Sequence, residues 1–259
     1  SGREAGTEAK AASVVLVLDR SESMGTKGMT ALVNAADTFI DTLKDASPDS
    51  QVAVVYFNGT QGEDTNTTKA MSFTKLDTDK NVASIKKFLS DNDDPDGGTP
   101  MGDALKKAKS LLDTDNSGNQ KYVLFFTDGL PGYYKPDTSY DEYSRFNCMV
   151  ANSAVNYAND IKAKATIYTV GYKLSGTLYW HKGDSATSSA DTEHGYYSGW
   201  GWKYYSNHDL STSASDFLKD YIATSVSEGS NKKYAYTVDN TEDLGKEFKK
   251  LAAQIGAYY

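Results

Sequence analysis

The apolar residues of this chain fall into short continuous runs and into stripes at helical spacing. Runs rich in Val, Ile, Phe and Tyr are typical of strands buried on both faces of a parallel sheet. A looser alternation predicts an edge strand, and a short apolar segment near the end predicts a last strand. The buried runs occupy residues 13–18, 51–57, 121–127 and 165–172, the edge strand residues 69–76 and the last strand residues 234–238.

Stripes of apolar side chains at helical spacing separate these strands. Strands that alternate with amphipathic helices predict an α/β fold, doubly wound, with a mostly parallel central sheet flanked by helices and right-handed crossovers. In such sheets, ligands bind outside the carboxyl ends of the strands, so we expect functional residues in the loops that follow them. The predicted helices carry their stripes within residues 29–43, 82–89, 101–112, 150–161 and 244–255.

The chain shows neither internal repeats nor linker-like breaks, which predicts a single domain over residues 1–259. Residues 174–233 exceed what the core fold requires and are interpreted as an aromatic-rich insertion at the carboxyl edge of the sheet. The first residues, Ser1 and Gly2, include no methionine and begin no signal-like apolar segment. We therefore expect a mature piece of a longer protein, with any membrane or wall anchor outside it.

Composition narrows the class of protein. A hydrophobic content of 39% with 24% charged residues is that of a folded domain, and no apolar run approaches the roughly 20 residues that span a bilayer. The formal net charge of -8 argues against nucleic acid as a partner, because nucleic-acid binders carry a basic face. A single cysteine, Cys148, excludes an internal disulfide and any zinc cluster made of cysteines.

Oxygen-bearing side chains cluster where a site at the carboxyl edge would need them. Asp19, Ser21 and Ser23 follow the first strand, Asp128 follows the strand at residues 121–127, and Thr99 precedes the helix before that strand. Carboxylates and hydroxyls suit a hard cation, Mg²⁺ first, with Mn²⁺ or Ca²⁺ as alternatives. An octahedral ion with these ligands keeps a coordination position for water or for a partner's carboxylate.

Each of these motifs alone has an ordinary structural explanation. The Asp19-x-Ser21-x-Ser23 segment and Thr99 can each cap a helix, and Asp128 followed by glycine can form a simple turn. Their joint occurrence, in order and at strand ends, favours a metal site.

Taken together, the motifs resemble the von Willebrand factor A domain family and its metal-ion-dependent adhesion site. In that family D-x-S-x-S follows the first strand, a threonine lies in a later loop and an aspartate follows the fourth strand. Asp19, Ser21, Ser23, Thr99 and Asp128 match this pattern. The resemblance extends over nearly the whole chain, from SVVLVLDRSESM through GGTPMGDAL and VLFFTDGLPG to the closing helix, and it implies metal-dependent adhesion.

Tyrosine and tryptophan concentrate in two segments that follow strand ends, one directly after Asp128 and one in the insertion. Such rings supply rigid contact area in binding sites. A second interpretation, in which some rings form a small core of the insertion itself, stays open. The predicted ligand contacts are Tyr133, Tyr134, Trp180, Tyr196, Tyr197, Trp200 and Trp202.

The segments TIYTVGYKLS, FLKDYIATS and NTEDLGKEFKKLAAQI are similar to the tip adhesin subunits of Gram-positive sortase-assembled pili. This resemblance implies an extracellular, cell wall-anchored pilus protein whose partners are other pilin subunits and a host matrix protein or glycan bound through an acidic group. The alternative is an intracellular scaffold subunit of an ATPase or chelatase assembly. We do not expect an enzyme, because no candidate general base, nucleophile elbow or phosphate loop stands in a suitable place.

Overall fold

The computed structural model describes residues 11–62, 64–132, 140–180, 182, 195–198, 201–204 and 210–257. For residues 140–147, 179, 195–198 and 201–204 it describes the backbone alone.

A six-stranded sheet forms the centre of the molecule, and its strands lie in the order β10-β5-β4-β1-β2-β3. All neighbouring strands are parallel except β3, which runs antiparallel to β2 at one edge. The predicted doubly wound, mostly parallel sheet is therefore confirmed, with its edge strand. The strands are β1 (Ala12–Asp19), β2 (Gln51–Phe57), β3 (Thr68–Lys75), β4 (Gln120–Thr127), β5 (Thr166–Tyr172) and β10 (Ala235–Val238).

Helices cover both faces of this sheet, which explains the continuous apolar runs. Along β1, Leu16 faces one core and Val17 faces the other, so successive residues are all buried. Helices α1 (Gly25–Ala46), α2 (Asp79–Asp91) and α6 (Thr241–Gly256) pack on the first face, and α3 (Met101–Thr114) and α4 (Tyr140–Lys162) pack on the second.

The predicted insertion contains two small antiparallel sheets followed by a helix. Phe217 and Ile222, near its end, are buried with α3 and α4 in the second core. This part of the insertion therefore contributes to the packing of the main sheet. Its elements are β6 (Thr177–Trp180) paired with β9 (Leu210–Ser213), β7 (Gly195–Ser198) paired with β8 (Gly201–Tyr204), and α5 (Ala214–Phe217), which continues into a π-helical turn at Leu218–Ile222.

The chain leaves β1 and β4 in opposite directions. These strands are neighbours, with Leu18 opposite Phe126, but α1 continues to the first face and α4 to the second. Loops that diverge in this way open a crevice at the carboxyl ends of the two strands. Asp19 and Asp128 stand at this point of the sheet.

Candidate metal site at the carboxyl edge

Asp19, the last residue of β1, is the most deeply buried of the acidic groups at the candidate site and is fully buried. Its Oδ1 accepts a hydrogen bond from the Ser21 backbone N–H at 2.7 Å. Its Oδ2 accepts one from Thr127 Oγ1 at 2.8 Å and one from the Asp128 N–H at 3.3 Å. Because a buried carboxylate is costly unless it is hydrogen-bonded, these three donors both stabilise Asp19 and fix its orientation.

Three oxygens converge beside Asp19. Ser21 Oγ lies 3.1 Å from Ser23 Oγ, and Ser23 Oγ donates to Asp128 Oδ1 at 3.1 Å. Ser21 Oγ lies 3.5 Å from the same Asp128 oxygen. Neighbouring oxygen ligands of an octahedral Mg²⁺ stand about 3 Å apart, because each lies about 2.1 Å from the ion. The spacing therefore fits donors arranged around one small cation.

Backbone hydrogen bonds join Thr99 to the loop after β4, whereas its hydroxyl makes no described hydrogen bond to Asp19, Ser21, Ser23 or Asp128. Its N–H donates to the Gly132 carbonyl at 2.9 Å and its carbonyl accepts from the Gly132 N–H at 3.1 Å, which joins it to the loop after β4. Two residues earlier, the Gly97 carbonyl accepts from the Glu22 N–H at 3.0 Å, within the loop after β1. The three loops are thus tied together by their main chains.

The structure decides against the helix-cap explanations of these motifs. Helix α3 begins after Pro100 with no side-chain cap, so the Thr99 hydroxyl does not serve as one. Ser21 precedes a 3-10 turn at Glu22–Met24 and likewise makes no side-chain cap. Neither hydroxyl therefore caps a helix, and the conformation of the loops determines where both of them lie.

The site holds two acidic groups without a basic partner. Burial, and then the neighbouring Asp19 carboxylate, raise the pKa of Asp128 to about 8. Arg20 is directed elsewhere, with Nε donating to Asn58 Oδ1 at 3.1 Å and Nη1 to the Asn92 carbonyl at 2.9 Å. Among the described residues, no lysine or arginine forms an ion pair with either carboxylate. A cation between them would remove their mutual repulsion, so the donor set fits a hard metal ion.

Other metal sites are not evident in the part of the chain that the structure describes. Within it, no three or more His, Cys, Asp or Glu residues come together. Two carboxylates with serine and threonine hydroxyls are the ligands of Mg²⁺ or Mn²⁺, whereas zinc prefers imidazole and thiolate.

Thr127 is a residue of the candidate site that the sequence patterns did not indicate. It is fully buried, donates to Asp19, and its Oγ1 also accepts from the Gly129 N–H at 3.3 Å. The signal available in the sequence was its place directly before Asp128 at the end of a strand. Its pairing with Asp19 depends on the register of β1 and β4.

Trp180 does not fulfil the prediction of a ligand contact. Its side chain is 0% exposed, its indole N–H donates to Thr212 Oγ1 at 3.0 Å, and Phe217 and Tyr221 pack edge-on against the ring with centroids 5.5 and 5.0 Å away. No face of the ring is left for a ligand. Trp180 is therefore a core residue, as the second interpretation of the aromatic segments allowed.

The remaining predicted aromatic contacts lie outside the side chains that the structure describes. Tyr196, Tyr197 and Trp202 are on β7 and β8, where the backbone alone is described. The other three, Tyr133, Tyr134 and Trp200, are outside the described residues.

An open cleft of about 350 Å³ lies directly beside Asp128 and Ser23. A larger cleft, of about 520 Å³, lies at β10 and the π-helical turn and touches none of the five predicted metal ligands. The oxygen cluster thus borders a partly open cleft.

The fold is thus a doubly wound α/β sheet, and its oxygen donors lie at the carboxyl edge, where sheets of this kind generally bind ligands. The chain belongs to the von Willebrand factor type A domain family, whose profile matches residues 13–188. This confirms the resemblance recognised in the sequence. Comparison with the sequences of curated proteins gives no match.

Solved structures of low sequence identity share the fold. The pilus adhesin SpaC from Lactobacillus rhamnosus GG superposes with a TM-score of 0.66 at 14% identity, over 98% of this chain and 31% of SpaC. The vWF domain of the type V pili tip protein Mfa5 from Porphyromonas gingivalis gives 0.61 at 16% identity, over 96% of both chains. The PilB minor pilin from Streptococcus sanguinis gives 0.59 at 18% identity, over 98% of this chain and 63% of PilB.

The chain accordingly spans about a third of the length of SpaC. Among the described residues, no helix combines the length and the apolar character needed to cross a membrane.

Proposed function

We propose that this domain is a metal-dependent adhesion module that binds an acidic group of its partner through a cation at the carboxyl edge. The residues that would hold the cation, Mg²⁺ or alternatively Mn²⁺ or Ca²⁺, are Asp19, Ser21, Ser23, Thr99 and Asp128. The observation that carries the proposal is the convergence of two carboxylates and two serine hydroxyls without a basic partner.

The chain's own residues would give the site its selectivity. A bound Mg²⁺ would supply a Lewis-acidic coordination position for a carboxylate. Asp19, held by Thr127 and by two backbone N–H groups, keeps its orientation whether or not a partner is present. Ser21 and Ser23 contribute neutral oxygens, so a divalent ion would retain positive charge towards a partner.

The biological setting that we propose is the tip of a bacterial pilus at the cell surface. The pilus proteins SpaC, Mfa5 and PilB, which share the fold, support this setting. The partners would be other pilin subunits and, for the metal site, a host matrix protein or glycan that presents a carboxylate. The sortase-type wall anchor of a Gram-positive cell stays part of this proposal.

Removal of Asp19 tests the metal site. The variant Asp19→Ala is expected to show no Mg²⁺ binding by isothermal titration calorimetry, because it loses one carboxylate and the group that orients Ser21 and Asp128. Ser23→Ala, which keeps both carboxylates, is expected to weaken binding and not abolish it. Circular dichroism establishes that each variant is folded.

Matched controls are available on the same chain. Asp49→Ala and Ser90→Ala change an exposed aspartate and an exposed serine away from the site and should leave Mg²⁺ affinity unchanged. Unaltered Mg²⁺ binding by folded Asp19→Ala would refute the assignment. A screen against matrix proteins and glycans with and without EDTA then tests adhesion, and binding that resists the chelator would contradict metal dependence.

A further inference from the structure

The cleft beside the metal site is bordered by two lysines that come from different parts of the chain. Lys27 lies in the first turn of α1, and Lys173 follows β5. Asp128 and Ser23, two of the proposed metal ligands, also belong to its lining. A group that enters the cleft therefore lies next to whatever the metal site binds.

Neither lysine is paired with an acidic group in the part of the chain that the structure describes. Both side chains are exposed, and the described residues include no ion pair to either of them. Asp128 is the one carboxylate among the described residues that line the cleft, and it accepts a hydrogen bond from Ser23. The first turn of α1, at Lys27, holds no acidic residue and adds positive potential at the cleft, whereas the first turn of α6, which borders it at Thr241, carries Glu242 and Asp243.

The position of Lys173 is held by its backbone and by a ring. Its φ of 49° is a left-handed conformation that is uncommon for a long side chain, and its N–H donates to the Val238 carbonyl at 2.8 Å. Its ammonium group lies 5.3 Å from the centre of the Tyr172 ring, which also lines the cleft. The charge of Lys173 is thus kept at the cleft and not spread over the surface.

The described part of the lining favours an acidic polypeptide over a carbohydrate. Among the described lining residues, Tyr172 is the one aromatic side chain, it is 4% exposed, and Lys173 lies over its ring, so it offers no stacking surface for a sugar. Two ammonium groups with serine and threonine hydroxyls are suited to a carboxylate.

We propose that Lys27 and Lys173 form a second anion subsite, so that the partner is an acidic polypeptide segment with one carboxylate on the metal and another in this cleft. The proposal rests on the proposed function of the metal site, which it extends from one acidic group to a pair. The domain would then distinguish closely spaced acidic residues from a single one.

The experiment uses Mg²⁺-loaded protein and capped glycine peptides that carry either one glutamate or two glutamates separated by zero to three glycines. The double variant Lys27→Gln and Lys173→Asn removes both charges. Both substitutions are compatible with the local backbone, because glutamine is a good helix former and asparagine adopts the left-handed conformation readily. Lys106→Gln, an exposed lysine on α3, is the matched control. Affinities are measured by calorimetry with Mg²⁺ and with EDTA.

We expect at least one two-glutamate peptide to bind 10-fold or more tighter than the one-glutamate peptide. The double variant should lose this gain while its affinities for Mg²⁺ and for the one-glutamate peptide stay within two-fold. Lys106→Gln should keep the gain.

The subsite would be refuted if no two-glutamate peptide bound more tightly than the one-glutamate peptide, or if the gain in affinity persisted in the double variant. A larger lysine-dependent gain in affinity for a sulfated disaccharide than for the peptides would refute it as well. Failure of the metal proposal is distinguishable. It would leave a lysine-dependent gain for the two-glutamate peptide that is the same in EDTA as in Mg²⁺, and this result would support the subsite alone.

Discussion

At the scale of single residues, the most informative contact is that between Thr127 and Asp19. One hydroxyl orients a buried carboxylate from the neighbouring strand and also accepts the Gly129 N–H, so it links the two loops that supply the acidic groups. Residues that orient metal ligands in this way commonly change affinity 10- to 100-fold when they are replaced. We therefore propose Thr127 as a positioning residue of the metal site.

The variant Thr127→Val keeps the shape of the side chain and removes the hydroxyl. We expect Mg²⁺ affinity to fall about 10- to 100-fold, because Asp19 loses a donor from the neighbouring strand. Thr127→Ser keeps the hydroxyl and should stay within a few-fold of the original affinity. Calorimetry measures both, and equal affinities for the two variants would show that the hydroxyl does not position Asp19.

At the scale of elements, α3 packs closely against α4. Gly102, in the first turn of α3, faces Ser153 of α4, and a Cβ on Gly102 would lie 2.6 Å from Ser153 Cβ and 2.7 Å from Gln61 Oε1. That amide oxygen also accepts the Asp103 N–H at 3.1 Å. The start of α3, directly after Thr99, thus has no room for a side chain.

The variant Gly102→Ala is expected to lower the free energy of unfolding by about 1–3 kcal/mol, because the added methyl overpacks the contact between the helices. Gly245→Ala is the matched control on α6, where a Cβ would meet nothing within 4 Å. It should raise stability by about 0.5–1 kcal/mol through helix propensity. Denaturant unfolding measures both, and a Gly102→Ala variant as stable as the unmodified chain would mean that the helices can separate without cost.

At the scale of the whole molecule, the local charge of the proposed binding face differs in sign from the net charge of the domain. The domain carries a net charge of -8, yet its proposed partner is acidic. The proposed cation and the two lysines of the cleft would make one face attractive to anions, and the rest of the surface would repel them. An acidic domain is therefore compatible with an acidic ligand when the binding face is locally positive.

Metal binding is expected to stabilise the whole fold, because the unfolded chain does not hold the five ligands together. Mg²⁺ at 100 times its dissociation constant should add about 2.7 kcal/mol to the free energy of unfolding and raise Tm by about 5 °C or more. Thermal unfolding with Mg²⁺ and with NaCl of equal ionic strength measures the effect. Asp19→Ala should show no difference between the two salts, and a shift that NaCl reproduces would be a salt effect and not binding.

The sequence by itself determined the elements and the chemistry of the site. Continuous apolar runs such as residues 13–18 specify strands buried on both faces, because each side of the sheet is covered by helices. The Asp19-x-Ser21-x-Ser23 segment is local in the chain, so its oxygens had to stand near one another at the end of β1.

Only the tertiary structure decided which distant residues meet. The register of β1 and β4 places Thr127 beside Asp19, and a shift by one residue would turn these side chains to opposite faces. The burial of Trp180 and the placement of Lys27 and Lys173 at one cleft depend equally on helices and strands that are far apart in sequence. Local patterns specify strands and helices, whereas contacts of this kind form only when the complete sheet and its helices pack together.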